Sequence, residues 1–179
     1  MLGKTHAAAG FVAAAAVLYL MHAPASDLTL GIGGGVVAAL LPDIDEPHSL
    51  FNHYAKVIGP AIGSVLKHRT ITHTLVVAAA VTVGLHLLFP HLPIDVVAAI
   101  GGGYVSHLVA DSITPEGVMW FWPLSSRRLS FTGWLPGGLW RVFTTGGGLE
   151  LMVFRPLFLL GGMYLTGAVF WPWIHHFIA

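Results

Sequence analysis

The chain has no cysteine in its 179 residues. That excludes a disulfide framework and a thiolate metal site, so any metal ligand must come from His, Asp, Glu or backbone oxygen. Charge is scarce too. Only 9% of the residues are Asp, Glu, Lys or Arg and 55% are hydrophobic, whereas soluble domains carry about 25% charged residues. Such a chain cannot cover itself with a water-soluble surface, and its composition is that of an integral membrane protein. The formal net charge is zero, without the basic footprint of a nucleic-acid-binding protein. Neither a domain boundary nor a low-complexity tail nor an internal repeat is discernible, so residues 1–179 read as a single integral-membrane domain.

Histidine, apolar runs and glycine are what the chain does have. Eleven histidines stand against eight Lys plus Arg, a ratio that points to imidazole ligands and a divalent metal, zinc first and manganese second. Apolar segments cover residues 2–21, 28–41, about 70–89, 94–111 and 151–173. The expected fold is therefore all-α, a polytopic transmembrane helical bundle of about five membrane helices. Several segments fall short of the ~20 residues a full crossing takes, so the helices extend into polar flanks or the bilayer thins around them. Thr70 or Thr72 is the expected N-cap of the third segment. The runs GIGGG and GGGY allow close helix approach, within or between protomers. The first 26 residues also have the outline of a signal peptide, but His6 falls in register with the groups described next, which favours a membrane helix.

His107 and Asp111 lie four residues apart in an apolar run long enough for a helix, and so share one face about a turn apart. An imidazole and a carboxylate so placed can grip one divalent cation. An Asp that merely accepts a hydrogen bond from His would look the same. The other polar groups favour the metal. Tracing the segments up and down puts His6 at the start of the first helix and Asp43 and Asp45 after the end of the second. His68 and His73 come at the start of the third, and His107 and Asp111 at the end of the fourth. All seven then fall on one side of the membrane. Every Lys and Arg falls on that side as well, which makes it cytoplasmic by the positive-inside rule.

In LPDIDEP, Asp43 and Asp45 lie two residues apart just past a helix end, where a proline fixes the exit. One is expected to bind metal and the other to orient a histidine. In HRTITH, His73 is expected in the first turn of the third helix, and Arg69 either meets an anionic ligand such as phosphate or anchors the helix at headgroups. Trp120, Phe121, Trp122, Arg127 and Arg128 suit a membrane interface. Glu150, alone before the fifth helix, re-enters the same side as a ligand or a base. Glu46, His48 and His53 read as surface or outer groups.

The ordered set KTH (4–6), LLPDIDEPHS (40–49), HRTITHTL (68–75), GYVSHLVADSITPEGVMWFWP (103–123) and GGLE (147–150) resembles the YdjM-like family of inner-membrane, metal-dependent hydrolases. The resemblance implies functional roles for His6, Asp43, Asp45, His68, Arg69, His73, His107, Asp111 and Glu150. The order His, Asp, His, HxxxD is also similar to part of the zinc-dependent phospholipase C and P1 nuclease pattern. The later histidines of those enzymes have no counterpart here, so one or two ions are expected rather than three.

Together these readings lead to a membrane-bound hydrolase that cleaves a phosphate ester of a lipid or lipid-like substrate at the cytoplasmic headgroup level. One ion would be held by His73, His107, Asp111 and Asp45, and a second would share Asp111 and use His6 or His68. Arg69 would neutralise developing phosphate charge, and Asp43 or Glu150 would act as general base or orient a ligand. A metal transporter and a non-catalytic protein with a structural metal site are the alternatives. A haem protein built on histidine pairs leaves the carboxylates without a purpose.

Overall fold

The computed structural model describes residues 1–46 and 71–178. His68 and Arg69 lie outside the described residues, as do Thr70 and the side chain of Asp45. Among the described residues there are five α-helices: α1 (Gly3–Leu20), α2 (Leu28–Ala38), α3 (Leu75–Leu88), α4 (Ile94–Ser112) and α5 (Arg155–Ile178). Among the described residues there is no strand, only an isolated bridge between Val118 and Leu129.

Local chemistry sets the boundaries. α1 stops at Met21, after which His22 takes a positive φ of 54° and Pro24 follows. α2 gives way to a 3-10 turn, Leu41–Asp45, whose second residue is Pro42. The N-cap of α3 is Thr74, whose side chain accepts a hydrogen bond from Val77 N at 3.2 Å. That corrects the expectation of Thr72 as the cap and of His73 within the first helical turn. The Thr72 hydroxyl instead lies 3.0 Å from His73 Nδ1, leaving His73 just ahead of the helix.

α4 is the central element and packs on α1, α2 and α3, while α1 also packs on α2 and α5. Three glycines make this possible. A Cβ on Gly103 would run into the carbonyl oxygen of Gly35, and one on Gly10 would meet that same oxygen at 2.8 Å. α1, α2 and α4 therefore touch backbone to backbone, as small residues allow in membrane helices. Each glycine lies four residues, one turn, from a group at the site: Gly10 from His6, Gly35 from Ala39, Gly103 from His107.

A single helix among the described residues, Glu150–His176 with its initial π turn, is long and apolar enough to cross a membrane. α2 and α3 are shorter, at 11 and 14 residues. α1 and α4, at 18 and 19 residues, carry Lys4, His6, His107 and Asp111 within their spans, which interrupts their apolar runs.

Candidate metal centre

Four elements deliver side chains to one buried point. His6 comes from the first turn of α1, Asp43 from the 3-10 turn after α2, His73 from the turn before α3, and His107 with Asp111 from the last two turns of α4. His6, His73, His107 and Asp111 are each 0% exposed. Burying so many ionisable groups is costly unless they are paired or bind a metal.

Each histidine of the central pair is aimed by a partner. His107 Nδ1 lies 2.7 Å from the carbonyl oxygen of Ala39. A carbonyl only accepts, so Nδ1 carries the proton and Nε2 keeps its lone pair, the arrangement usual for a metal-binding imidazole. His73 is turned the same way by Thr72, and the Tyr104 hydroxyl donates to the carbonyl of Thr72 at 2.6 Å, which ties this turn to α4.

The ligand atoms then converge. His73 Nε2 and His107 Nε2 are 3.2 Å apart. Asp43 Oδ1 lies 3.5 Å from His73 Nε2 and 3.6 Å from His107 Nε2. Asp111 Oδ2 lies 3.7 Å and 3.6 Å from the same two nitrogens. A tetrahedral ion with bonds of about 2.0–2.1 Å requires ligand atoms roughly 3.3–3.4 Å apart. Asp43, His73 and His107 are close to that spacing, and Asp111 Oδ2 lies at a similar distance from both imidazole nitrogens.

A second group lies alongside. His6 stacks on His107 with centroids 3.6 Å apart and planes 13° from parallel, and its Nε2 is 3.2 Å from Asp111 Oδ1. Neither ring nitrogen of His6 has a partner at hydrogen-bonding geometry, although the ring is fully buried. The α-amino group of Met1 also donates to Asp111 Oδ1. Two sets of side chains could therefore hold a metal ion: His6, His107 and Asp111, and Asp43, His73 and His107. His107 belongs to both but has one nitrogen to give. With His107 Nε2 committed to the four-atom set, His6 and Asp111 Oδ1 remain for the second position.

The electrostatics agree with this placement. Burial pushes the Asp43 carboxyl up, but the hydrogen bond from His73 and the fields of His107 and His6 outweigh it and hold the group below the usual carboxylate range. Burial lowers His73 despite its contact with Asp43. Both shifts favour the forms that bind a cation, a carboxylate and a neutral imidazole.

Glu150 lies elsewhere. Its Oε1 accepts from Leu2 N at 2.6 Å and its Oε2 from Gly146 N at 2.7 Å, and it belongs to neither metal group. This carboxylate fastens the start of α1 to the loop before α5, a role different from the ligand or base expected of it. Trp120 does more than mark an interface. Its indole donates to Ser112 Oγ at 2.8 Å and its carbonyl accepts from Leu75 N at 3.0 Å. The loop after α4 thus holds the ends of α3 and α4 together. The carbonyls of Ser112, Ile113 and Thr114 are bonded by Phe131 N, Thr132 Oγ1 and Ser130 Oγ.

The sequence did not reveal the carbonyl of Ala39, which no side-chain pattern can show, nor Tyr104. Thr72 beside His73 in HRTITH was a visible signal for the hydroxyl that aims the imidazole.

A helical membrane protein with a buried His and Asp cluster able to hold a metal ion is the class that this fold and site define. The family follows from comparison: a profile described as "YdjM inner membrane protein" matches residues 1–174, and the chain belongs to that family. The inner membrane protein YdjM of Escherichia coli (strain K12) is 35% identical over 99 residues, 54% of this chain and 50% of the relative. The chain thus matches about half the length of that relative. The uncharacterized protein YvsG of Bacillus subtilis (strain 168) is 30% identical over 127 residues, 71% of this chain and 76% of its own. The inner membrane protein YbcI of E. coli K12 is 31% identical over 157 residues, 76% and 81% of the two chains. These names support the cell inner membrane as the location. No solved structure matches the chain significantly.

Proposed function

We propose that this chain is a multi-pass inner-membrane hydrolase that uses one or two divalent ions, zinc first, to cleave a phosphate ester of a lipid or lipid-like substrate at the cytoplasmic headgroup level. The observation that carries the reading is the buried set of Asp43, His73 and His107 at ligand spacing, with Asp111 beside both imidazoles and His6 next to it. When bound, a divalent ion polarises a phosphoryl oxygen and lowers the pKa of a bound water.

The chain's own residues would divide the work. His73, His107, Asp43 and Asp111 hold the central position, and the Ala39 carbonyl and Thr72 hydroxyl fix the two imidazoles. Asp111 offers its other oxygen, with His6, to the second position. Asp43 is partly exposed, with 16% of its side chain accessible, so it stands at the mouth and can take a proton from an attacking water. Arg69 is proposed to neutralise developing phosphate charge, with Asp45 and His68 as further ligands. The cytoplasmic orientation rests on the one-sided Lys and Arg distribution. A lipid substrate is favoured because a site at helix ends takes a headgroup while its chains stay in the bilayer.

The test is turnover of phospholipid in proteoliposomes loaded with zinc or manganese. Metal-dependent release of a phosphate-bearing or dephosphorylated product, lost in His107→Ala, supports the reading. Unchanged turnover in His107→Ala contradicts it. If Asp111 joins Asp43, His73 and His107 on one ion, the shell is closed and the site is a structural clamp on the helix ends, since structural zinc sites are four-coordinate while catalytic ones keep a position open. Stoichiometric metal with no turnover of any phospholipid would favour the clamp.

A further inference from the structure

Two kinds of glycine occur in these helices. Gly10, Gly35 and Gly103 are crowded by neighbouring backbone, whereas a Cβ on Gly33 or Gly84 would meet nothing within 4 Å. Glycine is the poorest helix former apart from proline, so an uncrowded glycine is not explained by close packing. Both face one groove of about 600 Å³, which spans Gly33 to Leu41 along α2 and the turn after it, Ala80 to Leu88 along α3, and Ile100 of α4. Each stretch covers eight residue steps, about 12 Å where helical.

Every residue lining the groove is Gly, Ala, Val, Leu or Ile. No lining side chain can hydrogen-bond, so the groove suits an aliphatic occupant. Along the chain the groove ends close to the metal-centre residues. Leu41 is two residues from Asp43, and Ala38 precedes Ala39, whose carbonyl holds His107. Its volume falls within the range of ligand pockets.

We propose that this groove holds one acyl chain of a membrane phospholipid, with the phosphate headgroup at Asp43 and His73. The inference rests on the lipid-phosphoester reading above and adds where the substrate's tail lies. A leucine at Gly33 or Gly84 has room to enter the groove and would take the tail's place.

The experiment uses the full chain in nanodiscs of phosphatidylethanolamine and phosphatidylglycerol, doped with phosphatidylglycerol carrying a diazirine in one acyl chain. After photolysis, adducts are mapped by mass spectrometry. Wild-type protein is expected to carry adducts on residues 33–41 and 80–88. Gly33→Leu and Gly84→Leu, on separate helices, should each cut that labelling to roughly a tenth, one decade of affinity, with labelling of exposed Leu157 and Leu160 on α5 unchanged. Gly84→Ala should keep it. Retained metal in the glycine variants shows that they fold. Labelling confined to α5, or equal in wild type and both leucine variants, overturns the proposal. Labelling does not require turnover, so the two readings fail separately. Lipid hydrolysis without groove adducts removes the groove, and groove adducts without hydrolysis remove the hydrolase.

Discussion

Gly103 of α4 lies directly against the backbone of Gly35 in α2, so close that a Cβ on Gly103 would strike the Gly35 carbonyl oxygen. One turn further along, Ala39 and His107 meet through the 2.7 Å contact that aims the imidazole. Close helix approach and imidazole orientation are thus one feature of the packing. Gly103→Ala is expected to cost about 1–3 kcal/mol, the usual penalty for overpacking, and to weaken metal binding as well. Gly33→Ala, where the new methyl meets open space, should be neutral or stabilising by up to about 1 kcal/mol. Thermal unfolding in detergent with and without metal checks both. Equal effects of the two substitutions would contradict the packing argument.

Thr72 acts through His73. Thr72→Val keeps the side-chain shape and removes the hydroxyl that faces His73 Nδ1. Loss of such a partner is expected to weaken metal affinity by about 10–100-fold while leaving the stoichiometry at saturation intact. Competition with a chelator of known affinity measures this. Affinity equal to wild type would mean that the turn holds His73 without Thr72.

Glu150 separates two roles. As a clamp on Leu2 N and Gly146 N it should matter for stability and not for metal content. Glu150→Ala leaves both amides without their partner and is expected to destabilise the protein by about 1–3 kcal/mol with the bound metal retained at saturation. Loss of one ion per chain in a folded Glu150→Ala protein would return Glu150 to the ligand set.

The sequence carried the segment order and boundaries well, because apolar runs and Pro punctuation mark them strongly. The ranges expected for the second and fourth segments, 28–41 and 94–111, differ little from α2 with its 3-10 turn and from α4. The convergence of His6, Asp43, His73, His107 and Asp111 was legible for the same reason: alternating helices bring every second end to one side. What was hidden depends on contacts. Asp43, expected as a base or an orienting group, instead lies against His73 and His107, a placement set by the 3-10 turn, while the Asp45 side chain is outside the described residues. Glu150 looked like a ligand by its side of the membrane, but Leu2 N and Gly146 N claim its oxygens. The cap of α3 fell on Thr74 because Thr72 is engaged with His73.

His6 distinguishes one ion from two. His6→Ala removes the stacked ring and its nitrogen near Asp111 Oδ1 but leaves the four-atom set untouched. It is expected to lower the metal content by one ion if the second position fills, and to leave the tighter ion bound. Equilibrium dialysis against zinc, with protein counted by amino-acid analysis, reads both numbers.

Metal binding by these buried side chains is read from metal per chain, by mass spectrometry on detergent-purified protein. Wild type should carry one or two ions, and His73→Ala and His107→Ala, still folded by circular dichroism, should lose at least one. Wild-type protein that stays metal-free after incubation with zinc and with manganese, or variants that keep the full complement, would contradict the account.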